Sequence, residues 1–122
     1  MMVYEITFVG HSKGGGAAAG AAIATNMNAI IFNPAPLNAN DYGLIVQDYT
    51  ANMKAFIVKG EIFNSALLPI LSPVDEVIYL DAPKREKPYY NHKEGFYIYE
   101  YDSLSKHSIK VVKLTLEYNG YN

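Results

Sequence analysis

The chain has 122 residues, half of them hydrophobic, with 10 basic and 12 acidic side chains and a formal net charge of -2. That is enough apolar material for one core and one domain over residues 1–122, and a charged fraction of 18% with 11 tyrosines argues against disorder. No dense Lys/Arg run offers a nucleic-acid footprint, no cysteine is available for disulfides, thiolate ligands or thiol nucleophiles, and no apolar run approaches the roughly 20 residues of a bilayer span.

In the absence of a signal-like N-terminus the compartment defaults to the cytoplasm, and no metal or other cofactor is expected. Residues 3–9 are rich in β-branched and aromatic side chains and stop at Gly10, which predicts a buried strand. A helix is expected over residues 14–25, although its four glycines each cost about 1 kcal/mol relative to alanine. Close packing of a helix without side-chain bulk is the expected compensation. Residues 29–32 read as a second buried strand, closed by Asn33 and Pro34, and the intervening length suits a parallel βαβ crossover.

Residues 38–52 suit a short amphipathic helix capped by Asn40 or Asp41. Residues 54–59 and 76–80 predict a third and a fourth strand, separated by a segment broken at Pro69 and Pro73. The apolar residues within 62–71 fit core better than a lid. Residues 84–94 are charged and read as an exposed loop, followed by a fifth, edge-like strand over 96–101, where Tyr97, Tyr99 and Tyr101 alternate with Phe96, Ile98 and Glu100. The tail over 108–118 mixes helical spacing with β-branched residues and favours a helix. The fold class is therefore α/β, a mostly parallel sheet with flanking helices.

Gly10-His11-Ser12-Lys13-Gly14 fits glycine-x-serine-x-glycine between a predicted strand and a predicted helix. A serine hydroxyl becomes a competent nucleophile when it projects from a tight, exposed turn where a histidine can take its proton, and small flanking residues make such a turn possible. The helix start also directs free N–H groups at the site, and the backbone N–H of Lys13 is a candidate oxyanion donor. A phosphate loop does not fit, because Lys13 is followed by Gly14 rather than by Ser or Thr.

The run from Ile6 to Gly15, with the alanines after it and Ala29-Ile30-Ile31-Phe32-Asn33-Pro34, resembles the serine elbow and following strand of lipase-like α/β-hydrolases. It looks most like class-three lipases and related uncharacterised bacterial proteins. The resemblance is specific over about the first third of the chain and positional beyond it. It implies a serine hydrolase acting on ester bonds, lipid esters among them, through a triad in the chain order serine, acid, histidine.

On that order the base is His107 or His92, with His107 favoured because it precedes an apolar segment and so is expected on a loop at a sheet end, where the resemblance puts the base, whereas His92 lies in a charged loop. His11 is excluded as the base because it adjoins Ser12 within the turn. The acid is Glu61, directly after Lys59-Gly60 at the end of the third strand, with Asp81 as the alternative; class-three lipases carry an aspartate at that first position. Asp75 begins the fourth strand and falls at the wrong edge of a parallel sheet.

The resembled fold places several strands and an oxyanion loop before its serine turn, whereas only residues 1–9 precede this one. The chain is accordingly expected to correspond to the C-terminal half of the fold and to act as a homo-oligomer or with a complementary chain. The competing reading is a degenerate, non-catalytic remnant that serves as a binding or assembly module.

Overall fold

A computed structural model of the chain describes residues 5–35, 42–61 and 74–121. The first crossover forms as a parallel βαβ unit: Thr7–His11 is β1, Lys13–Thr25 is α1 and Asn28–Phe32 is β2, with Thr7 opposite Asn28. However, β1, expected to be buried, is exposed or half-buried throughout because it stands at an edge of the described sheet. Gly10 lies inside β1 instead of ending it. Met53–Val58 (β3) and Glu76–Leu80 (β4) continue the sheet in the order β1-β2-β3-β4, every neighbouring pair being parallel.

The glycines of α1 serve its packing against the sheet. Gly15, Gly16, Ala18, Ala19, Ala22 and Ile23 are its buried residues, a set at helical spacing that lies on one side. A Cβ on Gly15 would stand only 2.9 Å from Pro34 Cβ, so a larger residue there would hold the helix away from the end of β2. Ala18, Ala22 and Ile23 meet Ala29, Ile31 and Ala55 in the main core. Asn26 then stops the helix in a left-handed conformation (φ 53°, ψ 45°), its N–H returning to Ala22 O.

Two helices close the chain, Ser103–His107 (α2) at the ends of the strands and Ile109–Tyr118 (α3), after which Tyr121 reaches the sheet face opposite α1. Along β3, Phe56 points away from the face that buries Ala55, and its ring meets Tyr121, just beyond α3, edge-on at 5.3 Å. Val111, Val112 and Thr115 form the buried stripe of α3. Helical spacing thus overrides the β-branched composition of this tail, and the Ser108 hydroxyl caps it by accepting from Val111 N–H at 3.3 Å.

Two further expectations are corrected. Of the helix predicted over 38–52, residues 38–41, which include the proposed caps Asn40 and Asp41, lie outside the described residues; the described remainder, 42–52, forms no α-helix and contains the 3₁₀ turn Val46–Asp48. Gly43, at φ 65°, interrupts any helical path, and Leu44, Val46 and Tyr49 pack as a strap against the core. The tyrosine-rich segment does not join the main sheet. Tyr89–Asn91 (β5) lies within the predicted loop and pairs antiparallel with Phe96–Ile98 (β6) as a separate hairpin, Tyr90 opposite Tyr97. The segment 62–71, whose apolar residues are expected to be core, lies wholly outside the described residues, as does the rest of 62–73.

Candidate active site

Ser12 occupies the turn between β1 and α1, at φ 57° and ψ -122°. A positive φ is a strained setting for a residue with a Cβ, and it persists only where the surroundings dictate it. They do so here. Ser12 N–H donates to Phe32 O at 3.1 Å, and Ser12 O accepts from Gly15 N–H (2.9 Å), Gly16 N–H (3.1 Å) and Ala35 N–H (2.7 Å). Gly10 lets the turn close, since a Cβ there would collide with the carbonyl of Gly14. Gly14 itself has no described atom within 4 Å of the Cβ position, so the pattern's second glycine is not required by crowding.

The acid-bearing turn follows β3. Gly60, at φ 80°, takes the left-handed conformation that a Cβ would disfavour, and Glu61 N–H closes the turn on Val58 O at 3.1 Å. The side chain of Glu61 is thereby carried inward, with none of it exposed to solvent. Its Oε2 lies 2.7 Å from Nδ1 of His107, while Oε1 has no partner among the described residues.

His107 closes α2, instead of standing on a loop as expected. Asp102 starts that helix, its carboxylate accepting from Ser105 N–H at 2.7 Å, and this bond to the backbone of Ser105 holds the Asp102 carboxyl below its usual pKa. Nε2 of His107 is 2.6 Å from Ser12 Oγ. An ionised Glu61 can only accept, so Nδ1 carries the ring proton and Nε2 is left to accept from the serine hydroxyl.

The structure therefore brings Ser12, His107 and Glu61 into one hydrogen-bonded line. Asp81 is not part of it: its carboxylate pairs with Lys59 at 3.2 Å and is three-quarters exposed. Asp75 caps the far end of the sheet, accepting from Met53 N–H at 2.8 Å. His92 stands in the β5–β6 turn with its ring against Tyr90, 5.0 Å between centroids. Lys13 is the first residue of α1, where backbone N–H groups have no intrahelical acceptor, and it immediately follows the serine.

Residues 2–67 match the family model described as "Phospholipase-like: Tle-like phospholipase domain". The chain belongs to this phospholipase-like family. The match covers Ser12 and Glu61 of the Tle-like phospholipase domain, whereas α2 and His107 lie beyond it. Membership places the chain among lipase-type hydrolases. No match was found among curated proteins. Among the described residues no helix of this phospholipase-like domain is long and apolar enough to cross a membrane, and no group of three or more His, Asp or Glu is arranged to hold a metal ion.

Two further residues reach the same place without having been identified from sequence. His11 Nε2 is 2.7 Å from the carbonyl oxygen of His107, and Asn33 Nδ2 is 2.9 Å from that of Lys106. His11 carried a signal, as the histidine inside the serine motif. Asn33 carried a weaker one, a polar residue closing a buried strand.

Proposed function

We propose that this phospholipase-like domain is a serine hydrolase of ester bonds, with lipid esters as its substrate class, Ser12 as nucleophile, His107 as general base and Glu61 as the carboxylate that orients and stabilises the imidazole. The observation that carries the reading is the continuous line from Ser12 Oγ through His107 to Glu61, with contacts of 2.6 and 2.7 Å. The chain order serine, acid, histidine also resembles that of class-three lipases.

Ser12 Oγ attacks the ester carbonyl carbon while its proton passes to Nε2 of His107. The tetrahedral oxyanion receives the N–H of Lys13 at the start of α1, and the imidazolium is stabilised by Glu61 across Nδ1–H. His107 then protonates the departing alcohol oxygen, leaving an acyl group on Ser12. Water, deprotonated by the same nitrogen, releases the acid and restores the serine. The strained turn supports this role, because it is the geometry that lifts a serine hydroxyl clear of its own backbone.

A second oxyanion donor comes, in the resembled fold, from a loop ahead of the serine strand. Among the described strands β1 is an edge of the sheet, with Val9 64% and Ile6 46% exposed. We read this edge as the place where a further strand of the hydrolase fold pairs and brings the second donor.

Labelling with a fluorophosphonate, together with hydrolysis of a short-chain p-nitrophenyl ester and of a phospholipid, tests the proposal. The reagent is expected to modify Ser12, and Ser12→Ala is expected to abolish both labelling and turnover. A folded chain that is never labelled, alone or self-associated, would instead favour the non-catalytic binding module.

A further inference from the structure

The imidazole of His107 is carried by a helix of five residues, too short to hold its own direction. Its last carbonyls have no acceptor role within the helix, so whatever donates to them sets where the ring points. Two such donors come from strand ends. Asn33, fully buried after β2, gives Nδ2–H to Lys106 O at 2.9 Å while its Oδ1 accepts Val58 N–H at 2.9 Å. Those opposite partners fix the amide's orientation. His11, the last residue of β1, reaches the next carbonyl, that of His107 itself, at 2.7 Å. A carbonyl oxygen only accepts, so Nε2 of His11 bears a hydrogen, and the two imidazoles lie 5.4 Å apart.

From this geometry we infer that His11 is a positioning residue: it donates to the main-chain carbonyl of His107 and thereby fixes the base over Ser12, with Asn33 holding the carbonyl before it. The inference rests on the proposed role of His107. His11 adjoins the nucleophile in the chain, so the strand end that presents Ser12 also grips the residue that activates it. A displacement at one is transmitted to the other, and the 2.6 Å contact between Oγ and Nε2 is preserved. This gives a distinct use to the histidine of Gly10-His11-Ser12, which cannot itself be the base.

The test compares His11→Ala and His11→Gln with the parent. His11→Ala removes the donor, and a misplacement of the base on the ångström scale lowers kcat on the order of 10- to 100-fold, with KM for a p-nitrophenyl ester within about twofold of the parent, as expected for an interaction that acts only through the base. The amide of His11→Gln restores most of the rate. A parent-like kcat in His11→Ala, or a loss that follows the unfolded fraction in a thermal melt and is not rescued by glutamine, overturns the inference. Proton NMR of the imidazole N–H groups reads the clamp without reference to turnover. The Nδ1–H signal of His107 is expected to be resolved in the parent and broadened in His11→Ala; an unchanged signal overturns the inference as well. Failure of the hydrolase reading is separately visible as a parent chain that takes no fluorophosphonate at Ser12.

Discussion

Glu61 Oε2 lies 2.7 Å from Nδ1 of His107, and the glutamate side chain is wholly shielded from solvent. A buried carboxylate without a partner is costly, so the contact orients the imidazole and also makes the carboxylate tolerable at this depth. Glu61→Gln retains size and burial but removes the charge that stabilises an imidazolium. Turnover is expected to fall on the order of 1,000- to 10,000-fold while the circular dichroism spectrum is unchanged. His107→Ala leaves Glu61 without this partner and is expected to lower stability by about 1–3 kcal/mol in urea denaturation.

The two glycines of the serine motif are expected to respond in opposite ways. In Gly10→Ala the new methyl collides with the Gly14 backbone, and relieving that overlap is expected to cost about 1–3 kcal/mol and to open the turn at Ser12. Gly14→Ala meets no described atom within 4 Å and lies in the first turn of α1, so the gain in helix propensity is expected to raise stability by up to about 1 kcal/mol. Denaturant titration of the two variants measures both signs.

Asp102 links acid stability to the position of the base. Its carboxyl titrates below its usual value because the Ser105 backbone donates to the ionised form, so the cap's contribution is complete above the unfolded-state pKa and is lost as pH falls through the lower, folded-state pKa. Asp102→Asn replaces the carboxylate with a neutral cap and removes this dependence. The stability difference between parent and Asp102→Asn is expected to shrink on acidification through the Asp102 titration. Asp102→Ala is expected to cost about 0.5–2 kcal/mol at neutral pH and to reduce turnover by loosening α2. Urea melts across acidic pH follow the first effect and ester hydrolysis the second.

The edge formed by β1 is expected to make the 122-residue chain self-associate. Strand groups of β1 that are unpaired among the described residues, with the exposed side chains of Ile6 and Val9, favour pairing with the same edge of a second copy. Light scattering is expected to show a species larger than the monomer, and Val9→Lys, which places a charge on that edge, is expected to shift the mass toward the monomer. A dilute monomer that hydrolyses short-chain esters rapidly through Ser12 would show that neither a second copy nor another chain is needed.

The sequence by itself determined the first crossover. Gly10, Ser12 and the Gly/Ala run constrain backbone geometry locally, and an interior parallel strand such as Asn28–Phe32 announces itself as a short apolar run closed by a breaker. Local signals were insufficient where the partner was distant. Alternation over 96–101 predicts a strand but cannot say that it pairs with Tyr89–Asn91 instead of with the sheet, because register and neighbour depend on the chain's path between them. Residues 42–52 have the composition of a helix face, yet Gly43 and the packing of Tyr49 make them a strap. Sequence narrowed the acid to Glu61 or Asp81 and the base to His107 or His92. Only the tertiary structure brought Glu61 and His107 together, because it depends on the end of β3, the turn at Gly60 and a helix anchored through Asn33 and His11 meeting at one point. Each of those is a contact between residues dozens of positions apart, and no local propensity encodes such a distance.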